Sequence, residues 1–352
     1  MTNYVHGGNV WREGNPEKWT DFSANLNPLG PPQIMIDKIK EKLDNIIYYP
    51  EVGMKTPTDN IARYLHVPPQ QVLPTSGGIG ALSLITEAIR PKKVVILQPG
   101  FVEYMRLANN VGAELIHLPL IKEGRVAYPE KEIKEVLDEN TMLFICNPSN
   151  PIGSTMPNEI MLEVLKSAEK CGAKVVVDEA FIEFSQEDSV KHLVNEYSSL
   201  IIAGSLTKIF AIPGIRLGYI CANKDTIKSL KERQTPWSLS SFASDVTCVL
   251  EETKDYVEKT LTCNEVQREY LREELEKMGI TVFPSKANFL LLNLKKKGIT
   301  VDQLQDKLIK DYILIRNCST YIYLDEYYTR IAVKSKEVNE YLIQCLKKYL
   351  GE

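Results

Sequence analysis

The sequence lacks several features that mark common functional classes. It has only four histidines, and its seven cysteines are an odd number without a Cys-x-x-Cys pair, so neither a disulfide framework nor a metal site is expected. No hydrophobic run is long enough to span a membrane. The net charge of -4, with both signs mixed along the chain, favours neither nucleic acid nor a membrane as a partner. Because the first residues form no apolar signal region, we expect a cytoplasmic protein.

The sequence does contain enough apolar residues for a large core, since 44% of its 352 residues are hydrophobic. Chains of this length usually divide into two domains. From about Ile46 to Phe242, short apolar strands alternate with helical patterns, which predicts an α/β fold with a mainly parallel central sheet flanked by helices. We therefore predict a large domain over residues 46–247 and a smaller α/β domain made of residues 1–45 and 248–352.

One segment places a lysine among hydroxyl groups and an arginine, directly after an apolar strand. It contains Ser205, Thr207, Lys208 and Arg216. A lysine amine can condense with an aldehyde cofactor, while hydroxyl groups and an arginine can bind and orient a phosphate. This combination is typical of a pyridoxal phosphate site. A solvated loop lysine beside a packing arginine is the alternative for this segment alone, so the rest of such a site must be sought elsewhere.

Two polar residues at predicted strand ends match the needs of a pyridoxal ring. The ring requires a carboxylate beside its pyridine nitrogen, and Asp178 ends the apolar run 174–177, which predicts a buried parallel strand. Open α/β sheets bind ligands at this carboxyl edge. A helix cap or a structural ion pair is the alternative role for Asp178. Asn150 follows another apolar run in an Asn-Pro turn, where its amide is a candidate partner for the 3-oxygen of the ring.

Further candidates lie at two other strand ends. Gly77 and Gly78 precede a helical pattern, and glycines let backbone amides approach an anion at a helix start. Ile79 follows them in the same turn. Phe101 ends another strand, where its ring is placed to stack on a flat cofactor, although an ordinary core position is the alternative.

Along the chain, these elements follow one another in the order glycine turn, Phe101, Asn-Pro turn, Asp178, Lys208 and Arg216. In this order they resemble those of the fold type I pyridoxal phosphate enzymes of the aspartate aminotransferase superfamily, over essentially the whole chain. Within it, the sequence is similar to the histidinol-phosphate aminotransferase and threonine-phosphate decarboxylase families, which share the Ser-x-x-Lys segment, the Asn-Pro turn and the Tyr-Pro-Glu that begins at Tyr49. The resemblance implies a fold type I transferase fold, pyridoxal 5'-phosphate as cofactor, and Lys208 and Asp178 as catalytic residues. It also implies a homodimer in which Tyr49 reaches the neighbouring cofactor phosphate; simple packing is the alternative.

Three segments favour the decarboxylase family. The amino-terminal segment with His6 and Asn27 resembles the opening of that family, and Phe181 stands where the aminotransferases typically have a tyrosine. Arg316 and Arg330 match two arginines that bind the carboxylate and the phosphate of the substrate. Guanidinium groups bind such anions bidentately, and a phosphorylated amino acid has two anionic ends. The resemblance therefore implies that His6, Asn27, Arg316 and Arg330 bind substrate.

The implied reaction is decarboxylation of O-phosphothreonine to 1-amino-2-propanol phosphate, a step of cobalamin biosynthesis, with O-phosphoserine as another conceivable substrate. A histidinol-phosphate or related aminotransferase is the main alternative, and a scaffold that binds a ligand without turnover is the alternative outside enzymology. The sequence departs from both families at Ile79, because a side-chain oxygen is expected there. A changed cofactor affinity or substrate choice would follow from this difference.

Overall fold

The computed structural model describes residues 6–351 of the chain. Residues 1–5, on which the prediction of a cytoplasmic location rests, lie outside the described residues. Within residues 6–351, no helix combines the length and the apolar character needed to cross a membrane.

Short strands and amphipathic helices alternate along most of the chain. The strands are β1 (Thr20–Asp21), β2 (Val72–Ser76), β3 (Lys93–Gln98), β4 (Glu114–Pro119), β5 (Ile121–Lys122), β6 (Arg125–Val126), β7 (Thr141–Cys146), β8 (Lys174–Glu179), β9 (Leu200–Ser205), β10 (Leu217–Ala222), β11 (Thr281–Val282), β12 (Phe289–Asn293), β13 (Ile313–Leu314), β14 (Arg316–Asn317) and β15 (Tyr328–Ala332). The α-helices are α1 (Gln33–Glu41), α2 (Lys55–Leu65), α3 (Gly77–Ile89), α4 (Glu103–Asn110), α5 (Glu130–Val136), α6 (Asn158–Cys171), α7 (Lys224–Lys231), α8 (Ser241–Thr247), α9 (Lys254–Lys277), α10 (Val301–Leu308) and α11 (Lys336–Leu350).

Residues 6–351 form a main sheet of seven strands in the order β2-β10-β9-β8-β7-β3-β4. The strands from β9 to β4 are parallel, whereas β10 is antiparallel to both of its neighbours. Val175, Val176 and Val177 of β8 are fully buried, as expected for a strand covered on both faces by helices. The predicted α/β fold with a mainly parallel central sheet is confirmed.

A smaller sheet has the antiparallel order β11-β12-β15-β14. It packs into a second hydrophobic cluster with α9, α10 and α11, separate from the core of the main sheet. The main core also takes in residues outside 46–247, such as Met35, Phe289 and Tyr321. The proposed domain boundaries stay a prediction.

The strand directions bring distant segments to one edge of the main sheet. Parallel strands place their carboxyl ends side by side, so the segments that follow β3, β7, β8 and β9 meet there. Since β10 is antiparallel to β9, its first residue lies at the same edge, and Arg216 directly precedes it. The topology therefore gathers Phe101, Asn150, Asp178, Lys208 and Arg216, which lie far apart in the sequence.

Candidate active site

A cavity of about 480 Å³ opens at this edge of the sheet and extends to the smaller sheet. Most residues predicted to form the site contribute to its walls. These residues are His6, Gly78, Ile79, Phe101, Asn150, Asp178, Ser205, Thr207, Lys208, Arg216, Arg316 and Arg330. The smaller sheet supplies the last two, since Arg316 begins β14 and Arg330 lies in the middle of β15.

Lys208 lies half-buried in this cavity among positive charges. Its pKa is lowered to about 8, mainly by burial and then by the charges of Arg330 and Arg216; Asp178 and Asp21 oppose the change. A lysine amine must be unprotonated to attack an aldehyde. The surroundings therefore make Lys208 more nucleophilic near neutral pH than an exposed lysine.

This lowered pKa predicts how the cofactor-free protein takes up pyridoxal phosphate. The uptake rate should rise about tenfold per pH unit below pH 8 and level off above it, because only the neutral amine reacts. The rate is measured from the absorbance of the bound cofactor between pH 6 and pH 10. A rate that keeps rising beyond pH 9.5 would show that Lys208 has the pKa of an ordinary exposed lysine.

Asp178 is buried, and its carboxylate accepts hydrogen bonds from the Tyr104 hydroxyl and, over 3.0 Å, from the Ala180 amide. Burial raises the pKa of its carboxyl group, while a hydrogen bond from Tyr104 and the charge of Lys208 act in the opposite direction. The Tyr104 hydroxyl donates to Asp178 Oδ2 over 2.6 Å. The Tyr104 ring stacks on Phe144 at 4.7 Å and meets the edge of Phe101 at 5.6 Å. These contacts fix the carboxylate at the carboxyl end of β8.

Sequence reasoning missed Tyr104. The available signal was its spacing, three residues after Phe101 on the first turn of α4, which turns its side chain toward the same strand edge.

Replacing Tyr104 with phenylalanine should lower kcat/KM about tenfold, because a buried carboxylate loses a hydrogen bond of roughly 1.5 kcal/mol. The loss should raise the pKa of Asp178 further, since that bond stabilises the ionised form. The acid limb of the profile of kcat/KM against pH should therefore move to higher pH. Tyr64→Phe is the matched control, because Tyr64 is also a buried tyrosine that donates to a carboxylate, on Glu183, outside this cavity. An acid limb that stays in place in Tyr104→Phe would contradict the role.

The turn between β2 and α3 forms a cradle for an anion. Gly77 has a φ of +71°, a conformation that favours glycine, and the Arg216 guanidinium group lies close to its backbone, since a Cβ atom there would be 2.6 Å from Nη2. The amides of Gly77 and Gly78 begin α3, where a helix favours negative charge. The Thr207 Oγ1 atom is buried and has no hydrogen-bond partner among residues 6–351, and Ser205 lies beside it. These donors and this cation fit the phosphate of pyridoxal phosphate.

Arg316 and Arg330 face each other across β14 and β15 as register partners. They are only 5% and 6% exposed, and like charges directly opposite each other are destabilising. Arg330 donates to the carbonyl of Ser23 over 2.8 Å and to Asn150 Oδ1. Its Nε has no partner, and no carboxylate of residues 6–351 lies within salt-bridge distance of it. A bound anion would relieve this buried positive charge.

The structure corrects the prediction for Asn27, which does not line the cavity. Its amide nitrogen lies within hydrogen-bond distance of the Ile209 carbonyl and of the Tyr256 and Thr260 hydroxyls, and its Oδ1 accepts from the Leu29 amide, so the side chain is engaged in joining the amino-terminal segment to α9. Asn25 lines the cavity in its place, with a buried Oδ1 that has no partner in the described chain. The sequence shows both asparagines two residues apart, and its pattern does not separate them, since residues two apart share one face of an extended segment.

Tyr49 also lies outside the cavity of its own chain. Its side chain is 81% exposed, and its ring contacts Trp237 at 4.9 Å between centroids.

A cavity at the carboxyl edge of a parallel sheet, with a half-buried lysine, a buried aspartate and a glycine turn facing an arginine, defines an enzyme that holds an aldehyde cofactor on lysine. Comparison with known proteins agrees. The model of the family described as aminotransferase class I and II matches residues 17–346. The chain belongs to this family and is a pyridoxal-phosphate-dependent enzyme.

Similar proteins cover almost the whole chain. A putative threonine-phosphate decarboxylase of Caldanaerobacter subterraneus is 35% identical over 99% of this chain and 94% of its own. The threonine-phosphate decarboxylase of Salmonella typhimurium is 29% identical over 99% of this chain and 98% of its own. The crystal structure of the histidinol-phosphate aminotransferase from Clostridium acetobutylicum has a TM-score of 0.87, with 32% identity over 94% of this chain and 98% of that one.

Proposed function

We propose that this enzyme decarboxylates O-phosphothreonine to 1-amino-2-propanol phosphate, as a step of cobalamin biosynthesis, with O-phosphoserine as a second substrate. The observation that carries the proposal is the buried pair of Arg316 and Arg330, because two guanidinium groups match an amino acid with a carboxylate and a phosphate. The threonine-phosphate decarboxylases among the relatives support this substrate class. Bound pyridoxal phosphate supplies an electron sink for a negative charge at the α-carbon.

Each arginine has a distinct place in this proposal. Arg330 is the charged side chain with the largest effect on the pKa of Lys208, so it lies near the reacting amine and suits the carboxylate attached to the α-carbon. Arg316 is not among the main causes of this shift and suits the more distant phosphate. Holding the carboxylate in one orientation selects the bond that breaks.

Lys208 is the proposed proton donor to the α-carbon once carbon dioxide has left. A pKa of about 8 lets its amine hold a proton and release it near neutral pH, which is the condition for efficient general acid catalysis. Asp178, held by Tyr104, is the proposed partner of the pyridine nitrogen. Its location on β8, between the strands β7 and β9 that lead to Asn150 and Lys208, supports that role.

A histidinol-phosphate aminotransferase is the second candidate, because the Clostridium acetobutylicum structure is 32% identical to this chain. Both candidates need a cation for a phosphate. They differ at the second anion, since histidinol phosphate has no carboxylate. The buried pair of arginines matches both anions of O-phosphothreonine at once, whereas in the aminotransferase the second arginine would serve only the co-substrate 2-oxoglutarate. The pair therefore fits the decarboxylase without excluding the aminotransferase. Phe181, which lies in the cavity wall and packs against Phe289 at 5.0 Å, supports the decarboxylase as well because the typical aminotransferase tyrosine is missing.

The deciding experiment incubates the pyridoxal-loaded protein with O-phosphothreonine, O-phosphoserine, or histidinol phosphate plus 2-oxoglutarate, and measures carbon dioxide and glutamate separately. Carbon dioxide without glutamate supports the proposal and ranks the two phosphoamino acids. Glutamate from histidinol phosphate without carbon dioxide overturns it in favour of the aminotransferase. Activity in neither assay would leave a binding scaffold with the family fold.

We also propose that two copies of the chain form a homodimer through an exposed apolar surface. We call this surface the apolar belt. It is formed by Leu43, Ile46, Ile47, Tyr48, Tyr49, Val52 and Trp237, which are 52–83% exposed. Contiguous apolar surface of this kind marks interaction sites. In the proposed dimer, Tyr49 contacts the cofactor phosphate of the neighbouring subunit.

This arrangement predicts complementation between two inactive variants. Tyr49→Ala and Lys208→Ala impair different parts of one shared site, so mixed dimers should contain one site with neither substitution. Mixing the two after reversible dissociation should restore up to about a quarter of wild-type activity, since half of the dimers are mixed and each has one intact site. The activity of the mixture is compared with that of each variant alone. A mixture no more active than the sum of its parts would contradict a shared site.

A further inference from the structure

The amino-terminal segment forms one wall of the cavity at residues 6–8. The Gly8 amide donates to Ser23 Oγ over 2.7 Å, and a Cβ at Gly7 would lie 2.3 Å from the Ser23 carbonyl oxygen. Only glycine allows the backbone to approach so closely. The same carbonyl accepts a hydrogen bond from Arg330. Ser23 therefore connects the amino-terminal segment to Arg330, the arginine that is proposed to bind the substrate carboxylate.

A second anchor for this segment is a buried carboxylate on another element. Glu103 is 5% exposed and is the first residue of α4. Its Oε1 accepts a hydrogen bond from His6 Nε2 over 2.9 Å, and its Oε2 accepts from Arg106. His6, Arg106 and Glu103 all line the cavity. A buried carboxylate is costly unless donors satisfy it, and the His6 ring and the Arg106 guanidinium group do so.

The charge of the proposed substrate indicates a function for the cluster of His6, Glu103 and Arg106. A phosphate monoester carries a charge of about -1.5 to -2 near neutral pH, so one guanidinium group leaves part of it unmatched. In the preceding proposal, Arg216 faces the cofactor phosphate and Arg330 the carboxylate, which leaves Arg316 alone at the substrate phosphate. His6 and Arg106 are the other side chains of the cavity wall that can carry positive charge.

We propose that Glu103 is a positioning residue that holds His6 and Arg106 in the cavity wall, where they select substrates that carry a phosphate besides the carboxylate. The inference rests on the proposed function and assigns part of its substrate specificity. Glu103 acts through these two side chains and touches no reacting atom. Its loss should therefore weaken substrate binding and leave the chemical step largely intact.

The kinetic test compares Glu103→Gln, Glu103→Ala and His6→Ala in the pyridoxal-loaded enzyme. In Glu103→Ala, KM for O-phosphothreonine should rise about tenfold or more while kcat changes less than about threefold, since hydrogen bonds to charged groups are lost from binding. Glu103→Gln retains one acceptor oxygen and should have a smaller effect. The double variant Glu103→Ala, His6→Ala should be less impaired than the sum of the single effects, because both remove one interaction. Additive effects would overturn the proposal.

Glu183→Gln is the matched control, since Glu183 is a buried carboxylate bound by Tyr64 and Gln186 outside the cavity. It should leave KM unchanged. Should Glu103→Ala fail to fold, Glu103→Gln still tests the proposal through the ratio of the KM change to the kcat change.

A second measurement does not depend on activity. Hydrogen exchange of the Gly8 amide reports whether the segment stays on Ser23, and it should be about tenfold faster in Glu103→Ala than in the wild type. The affinity for pyridoxal phosphate should not change. If the wild type releases no carbon dioxide from O-phosphothreonine, the proposed function fails, whereas unchanged Gly8 exchange together with unchanged affinity for O-phosphothreonine would overturn the role of Glu103 itself.

Discussion

Replacing Lys208 with alanine should lower turnover by about a thousandfold or more and remove the absorption band of the lysine-bound cofactor. Two functions are lost together. The amine that holds the cofactor is gone, and so is the proposed proton donor, whose contribution alone is roughly 10²- to 10⁴-fold. The measurement is the visible spectrum of the purified protein beside the rate of carbon dioxide release.

The matched control is Lys224→Ala, because Lys224 is an exposed lysine at the start of α7. It should keep both the band and the rate. Adding a small primary amine to Lys208→Ala distinguishes the two lost functions, since an external amine can carry a proton but is not held in place. Full activity of Lys208→Ala would contradict every role given to this lysine.

The parts of the site that lie at strand ends were predictable from the sequence. Asp178 follows three valines, and Phe101 and Asn150 follow other apolar runs, so the carboxyl edge of a parallel sheet accounts for all three. Lys208 was identified by the neighbouring hydroxyl groups and Arg216 together with the other candidate residues along the chain. Local pattern and topology agree at these positions, which is why the prediction reached the right edge of the sheet.

Contacts between distant segments could not be predicted in this way. Asn25 and Asn27 have the same chemistry two residues apart, and only the packing of α9 on the second one, through Tyr256 and Thr260, separates their roles. The pairing of Glu103 with His6 joins residues that are 97 positions apart. No periodicity in the sequence records such a contact, because it depends on how the chain closes over the sheet.

Replacing Arg330 or Arg316 with glutamine should lower kcat/KM for O-phosphothreonine by about a hundredfold or more. Removing one partner of a buried charged hydrogen bond costs roughly 2–5 kcal/mol, and each 1.4 kcal/mol is a factor of ten. Thermal unfolding of each variant, measured beside its rate, distinguishes a loss of substrate binding from a loss of folding. Arg268→Gln is the control, since Arg268 is a half-buried arginine on α9 outside the cavity.

Two ligands that each lack one anion tell the arginines apart. Threonine keeps the carboxylate and lacks the phosphate, and 1-amino-2-propanol phosphate has the reverse pattern. Arg330→Gln should weaken inhibition by threonine and spare inhibition by the amino alcohol phosphate, because Arg330 is the arginine with the largest effect on the pKa of Lys208. Arg316→Gln, which removes the guanidinium group held by Thr320 and Tyr321, should do the opposite. If both variants weaken inhibition by both ligands equally, the two arginines attract anions jointly and neither is specific for one anionic group. Another part of the cavity would then have to orient the carboxylate.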